Sequence, residues 1–197
     1  MNHQMSFKEY RSMDLLIFSA LTVVFEYIVT LATAKWFAGQ PVAISITLTL
    51  VLITMHRWGA YAAVVALLGG VAFCIASGAS WEHYLIYAIG NLFALVSLVY
   101  LKPFAQQDIK KSFFKTLLFA VTAYLSVALG RWLVSLAFGA GGGELIAFLT
   151  TDLITLLFAV VILYSCKSVD GLIEDQASYI VRIHEAEKNK HTSELDG

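Results

Sequence analysis

The chain has 197 residues, of which 59% are hydrophobic and only 14% charged, and its mean hydropathy is +0.75. A soluble domain is about 45–50% apolar and about 25% charged, so both departures argue against a water-soluble fold and toward a bilayer. One membrane span takes about 20 apolar residues, which leaves room for roughly five to seven spans and no separate catalytic domain. The formal net charge of −1 says nothing about partners, but the distribution of charge along the chain does.

The first apolar run covers about Asp14 to Ala38 and ends at the turn Gly39-Gln40-Pro41. The second covers Val42 to Met55, is short, and stops at the charged turn His56-Arg57-Trp58-Gly59. The third runs from Ala60 to Ala76 and stops at Ser77-Gly78. The fourth runs from Trp81 to Leu101 and ends at Lys102-Pro103, followed by the polar stretch Gln106-Gln107-Asp108-Ile109-Lys110-Lys111. The fifth covers Ser112 to Phe138. The glycine-rich segment Gly139 to Gly143 is a flexible connection, and the sixth run covers Glu144 to Cys166. The expected organisation is a short segment at 1–13, a six-span membrane domain at 14–166 and a polar tail at 167–197. Transmembrane strands would show about ten-residue segments of strict alternation, whereas these runs are unbroken and about twice as long, so an all-α bundle is expected. No secretory signal with a cleavage site is visible, because the first run is too long and lacks the right end. Cys74 and Cys166 both sit in apolar runs and read as packing residues rather than a disulfide.

Basic residues gather in alternate connections. Lys8 and Arg11 precede the first run, and Arg57 follows the second. Lys102, Lys110, Lys111 and Lys115 surround the fourth-to-fifth connection, and Lys167, Arg182, Lys188 and Lys190 lie in the tail; the other connections carry only Lys35. The positive-inside rule then puts both termini in the cytoplasm of a cell-membrane protein, which an even span count permits. In the tail, positions 169, 172, 173, 176, 180 and 183 make one partly apolar helical face interrupted by Gln176, fit to lie on the membrane or the bundle or to dock a cytoplasmic partner. Disorder is expected from His184 onward.

Ionisable groups inside spans are costly in lipid and so point to function. Arg131 lies seven residues before the outer end of the fifth run and Asp152 eight residues into the sixth, which puts both roughly 10–12 Å below the outer surface. Such a pair either fixes helix packing or also holds a polar ligand group. On the fourth run Tyr84, Tyr87 and Asn91 share a face, and Asn91 lies too deep to belong to an interfacial aromatic belt. Trp36 closes the first run, and Trp132 neighbours Arg131. Together these residues suggest an aromatic, polar-tipped site for a small molecule near the outer surface. Glu26, near the middle of the first run, reads either as a proton or cation relay or as a glutamic acid bonded to a neighbour. Glu82 and His83 alone are too few for a metal site, and no cofactor is indicated. The chain has no HExxH, GxSxG, P-loop or CxxC pattern, so no enzyme is expected, and nothing suggests nucleic-acid binding. Ala62, Ala66 and Gly70 form a small-residue row, suited to internal helix packing or to a partner membrane protein.

In Ile44-Ser-Ile-Thr-Leu-Thr-Leu50, in Met55-His-Arg-Trp-Gly59 leading to Leu68-Gly-Gly70, and in Tyr87-Ala-Ile-Gly-Asn91, the chain resembles the substrate-binding S components of energy-coupling factor (ECF) transporters. The resemblance implies capture of a vitamin or similar micronutrient at the outer face. It also implies ATP-driven uptake with a transmembrane coupling protein and two cytoplasmic ATPases. The site implied, in the outer halves of spans four to six, maps onto Tyr84, Tyr87, Asn91, Arg131, Trp132 and Asp152. Many members carry an AxxxA stripe on the first span for the coupling protein; here Ala20 is followed by Val24 and then Ala32, so docking would fall instead to Ala62, Ala66 and Gly70. Two other readings fit the same size and span number: a membrane scaffold of the MreD type, and a small proton-coupled transporter working through Glu26.

Overall fold

The structure is a computed structural model and describes residues 6–101, 112–183 and 185. The polar stretch 106–111 and the segment from His184 onward, apart from residue 185, lie outside the described residues. Among those described, every regular element is helical. The helices are α1 (Phe7–Trp36), α2 (Thr47–Trp58), α3 (Ala63–Ser77), α4 (Trp81–Leu92), α5 (Phe113–Leu136), α6 (Gly143–Thr151) and α7 (Leu153–Cys166). The segment Gly59–Ala62 is a 3₁₀ turn, and Phe93–Leu101 continues α4 as a 3₁₀ rod. A short helix at 176–183 lies in the tail.

α1 begins upstream of the Asp14 boundary expected from hydropathy. Ser6 and Glu9 form a capping box, the Glu9 amide donating to Ser6 Oγ at 3.3 Å and the Ser6 amide to the Glu9 carboxylate at 2.8 Å. Reciprocal capping satisfies two end donors and starts the helix before the apolar run does. The inner face of α1 is polar, carrying Ser19, Thr22, Glu26, Thr30 and Thr33. Its outer face shows Leu16, Ile17, Val24 and Ile28. The same inversion runs through the molecule, with Val99, Leu153 and Leu157 exposed and Arg131, Asp152 and Asn91 buried. Large exposed apolar surfaces around a polar interior are what hydrocarbon solvent selects.

Among the described residues, four helical runs are long and apolar enough to cross a membrane: Phe7–Trp36, Thr47–Ser77, Trp81–Leu101 and Phe113–Leu136. The pair α6 and α7, bent by 43° at Asp152, makes a fifth if taken as one span. The run Thr47–Ser77 is not straight. A Cβ added to Gly69 would fall on the Thr47 side chain, yet a straight helix would separate those residues by about 33 Å. The chain therefore reverses at Gly59, whose φ of 58° and ψ of −126° suit glycine. α2 and α3 form a hairpin, with the His56-Arg57-Trp58 turn at its tip.

α2 is the centre of the bundle, and every residue of it except Leu50 is buried. It packs against α1, α3 and α7 and touches α5, while α1 lies along α3, α3 along α4, and α4 with its 3₁₀ extension along α5. The core gathers Val51, Leu52 and Met55 of α2, Phe119 and Ala123 of α5, and Ala159 and Leu163 of α7. The second apolar run was expected to be helical from Val42. Residues 42–46 are not helical; they run beside the α6–α7 break, where the Ala43 amide donates to the Thr151 carbonyl and the Ser45 amide to Thr155 Oγ1, both at 3.0 Å.

Candidate functional site: a cleft beside a buried ion pair

Three glycines bring the site residues together. A Cβ on Gly70 would meet the Tyr87 backbone, one on Gly90 the Arg131 backbone and side chain, and one on Gly130 the Phe93 ring. α3, α4 and α5 therefore approach almost backbone to backbone, the close packing that small residues permit. Ala62 and Ala66 are fully buried in the same region, and the Ala66 carbonyl accepts from Asn91 Nδ2 at 3.3 Å. Ala62, Ala66 and Gly70 thus serve internal helix packing, one of the two roles their spacing allowed. Ala20 is exposed on α1.

Arg131 of α5 is 5% exposed and sits at the junction of four helices. Its Nη1 pairs with Asp152, and its Nη2 and Nε donate to Asn91 Oδ1 at 2.9 and 3.2 Å. Its Cζ lies 4.4 Å from the centre of the Tyr87 ring, a cation–π contact. Asp152 occupies the break between α6 and α7, which opens backbone carbonyls that lipid could not satisfy. The Tyr124 hydroxyl donates to the Leu149 carbonyl, and the Ala43 amide donates to that of Thr151. The bend is thus held from both sides and keeps the carboxylate aimed at Arg131.

Above this cluster lies a cleft of about 580 Å³. Its walls are the first turns of α4 (Glu82, His83, Ile86, Tyr87), the end of α5 with the following turn (Ser135, Phe138, Gly139, Ala140), and α6 (Glu144, Ala147, Phe148, Thr151). That volume is in the usual range of small-molecule pockets, about 300–1,000 Å³. Tyr87 belongs to both the cleft and the cluster; Phe73 stacks on it at 4.5 Å between ring centres, and Phe148 meets it edge-on at 6.2 Å. Below the ion pair is a cavity of about 20 Å³ lined by Ser45, Thr47, Asn91, Tyr124, Asp152 and Thr155 among others. It is large enough for about one water.

Of the residues expected to form the site, Tyr87, Asn91, Arg131 and Asp152 come together. Tyr84, on the same helix, is half-buried and not among the residues lining the cleft. Trp132 ties α5 to the glycine-rich turn through Nε1 and the Gly141 carbonyl at 3.3 Å. Trp36 stands 77% exposed at the end of α1. Sequence reasoning did not assign Phe138, Glu144 or Phe148 to the site. Glu144, a lone carboxylate where α6 begins, was the signal available for that wall.

Glu26 is fully buried and caps α2 from inside the bundle. One carboxylate oxygen accepts from the Ile46 and Thr47 amides at 2.9 Å each, from Ser45 Oγ at 2.9 Å and from Thr47 Oγ1 at 2.8 Å; the other has no hydrogen-bond partner among the described residues. A helix that begins inside a membrane bundle exposes end amides, and a carboxylate is the strongest acceptor a side chain offers them. No protein-family model, curated protein or solved structure matches this chain.

Proposed function

We propose that the chain is a membrane-embedded capture subunit of the S-component type. In this reading it binds a vitamin-like molecule in the outer cleft and hands it to a transmembrane coupling protein driven by two ATPases. It rests on one observation above others: a ligand-sized cleft whose floor, Tyr87, lies against a buried, hydrogen-bonded Arg131–Asp152–Asn91 cluster. A rigid polar floor under an aromatic-walled opening is how small-molecule sites gain orientation without flexibility. The reading counts the α2–α3 hairpin as two limbs and the α6–α7 pair as one, which gives six with α1, α4 and α5. It sets both termini in the cytoplasm of a cell membrane, with the cleft outside. No catalytic role is assigned to any residue.

The test is uptake. Cells expressing the chain with ATPase partners should accumulate the ligand, and cells lacking those partners should bind it without accumulating it. Accumulation that survives loss of every ATPase partner would remove the reading.

A scaffold role is the second reading, favoured by the same cluster: Arg131, Asp152 and Asn91 satisfy one another and need no ligand. The two readings separate when the ion pair is replaced by apolar residues, because a scaffold needs only the packing. The proton-coupled reading loses its motive, since the capping of α2 accounts for Glu26.

A further inference from the structure

The cleft is acidic, although the cationic side chain beneath it is an arginine. Glu82, in the first turn of α4, and Glu144, in the first turn of α6, both line it beside His83, and among the described residues no Lys or Arg does. Arg131 does not offset these carboxylates. Its charge is spent on Asp152, its other donors on Asn91, and the Tyr87 ring covers its guanidinium. An anion entering the cleft would have to draw Arg131 away and leave Asp152 buried without a partner, the costly way to break an internal ion pair. A cation meets two carboxylates and the rings of Phe138 and Phe148 on adjoining walls, surroundings that attract positive charge by field and by ring quadrupole.

We infer that the cleft takes a small flat organic cation, such as a quaternised or protonated heteroaromatic ring, and turns away carboxylates and phosphates. This rests on the cleft being the capture site. The charge selection comes from Glu82 and Glu144 at the walls, and the ion pair below, neutral as a whole, acts by holding the Tyr87 ring at the floor.

The test uses the whole chain in nanodiscs and three probes that share one ring and differ in charge: 1-methylnicotinamide, nicotinamide and nicotinate. The cation should bind tightest and nicotinate weakest. Glu82→Gln and Glu144→Gln should each weaken the cation by about five-fold, the effect of one carboxylate about 4 Å away in water, and weaken it more than they weaken nicotinamide. Any molecule released on denaturing the gently purified protein should carry a positive charge by mass spectrometry. Nicotinate binding as well as the cation, a released ligand that is anionic or neutral, or glutamine variants that leave the cation unaffected would each overturn the charge selection while leaving capture standing. No released molecule together with no binding by any of the three probes would remove the capture reading and this one with it.

Discussion

A guanidinium only 5% exposed inside a bundle must be neutralised where it stands, and Arg131 is neutralised by a carboxylate from the next helix and an amide from the previous one. Removing one partner leaves the other charged and dry. Asp152→Asn should therefore lower stability by about 3–5 kcal/mol, seen as an earlier thermal transition of the detergent-solubilised protein. Arg131→Met with Asp152→Leu should recover most of that loss, because a well-packed apolar pair often does no worse than a buried ion pair. The double variant decides function as well. Tyr87 loses the cation beneath its ring, so a capture protein should keep its fold and lose ligand affinity. Unchanged binding in a stable double variant would leave the cluster a packing role alone.

The start of α2 and the α6–α7 bend expose backbone groups, and the Glu26 and Tyr124 side chains help to satisfy them. Glu26 accepts two amides and two hydroxyls at the start of α2. Glu26→Ala strands those donors, at about 1–3 kcal/mol for each buried group left unsatisfied, whereas Glu26→Gln keeps an acceptor oxygen in place. The alanine variant should express poorly or melt early, and the glutamine variant should retain ligand binding. Transport abolished by Glu26→Gln in a folded protein would revive a proton-relay role. Gly90→Ala should cost about 1–3 kcal/mol, because the added methyl falls on the Arg131 backbone and α5 must shift. Much at this scale was legible in the sequence. The matching depths of Arg131 and Asp152 follow from counting residues from the glycine-rich turn, and Asn91 from its place one turn below Tyr87. Other features were not legible. Hydropathy cannot see that Val42 to Ile46 is non-helical, because those residues are as apolar as a helix, and their fate is set by Thr151, Thr155 and Glu26 far away in the chain. Nor does a small-residue row on α3 say which side it faces until α4 is seen against it.

The chain is also tied together at the end of the molecule away from the cleft. Arg57, at the tip of the α2–α3 hairpin, pairs with both oxygens of Asp14 on α1 at 2.8 Å and donates to the Gly171 carbonyl at 2.6 Å. Gln176, the apparent flaw in the apolar face of the tail, is fully buried; it donates to Gly171 at 2.8 Å and accepts from the Tyr10 hydroxyl at 3.1 Å. Tail, hairpin tip and the start of α1 thus lie at one end, and the glycine-rich turn and the cleft belong to the other. That polarity makes a topological prediction. With Cys74 and Cys166 replaced by alanine, a cysteine at Gly141 should react with a membrane-impermeant maleimide added to intact cells, and one at Ser168 should react only after the membrane is opened. If both sites label from outside, the chain crosses an even number of times between them, none or two, and the six-limb count fails. If the labelling is reversed, the cleft faces the cytoplasm, and capture from outside is impossible however well the cleft binds.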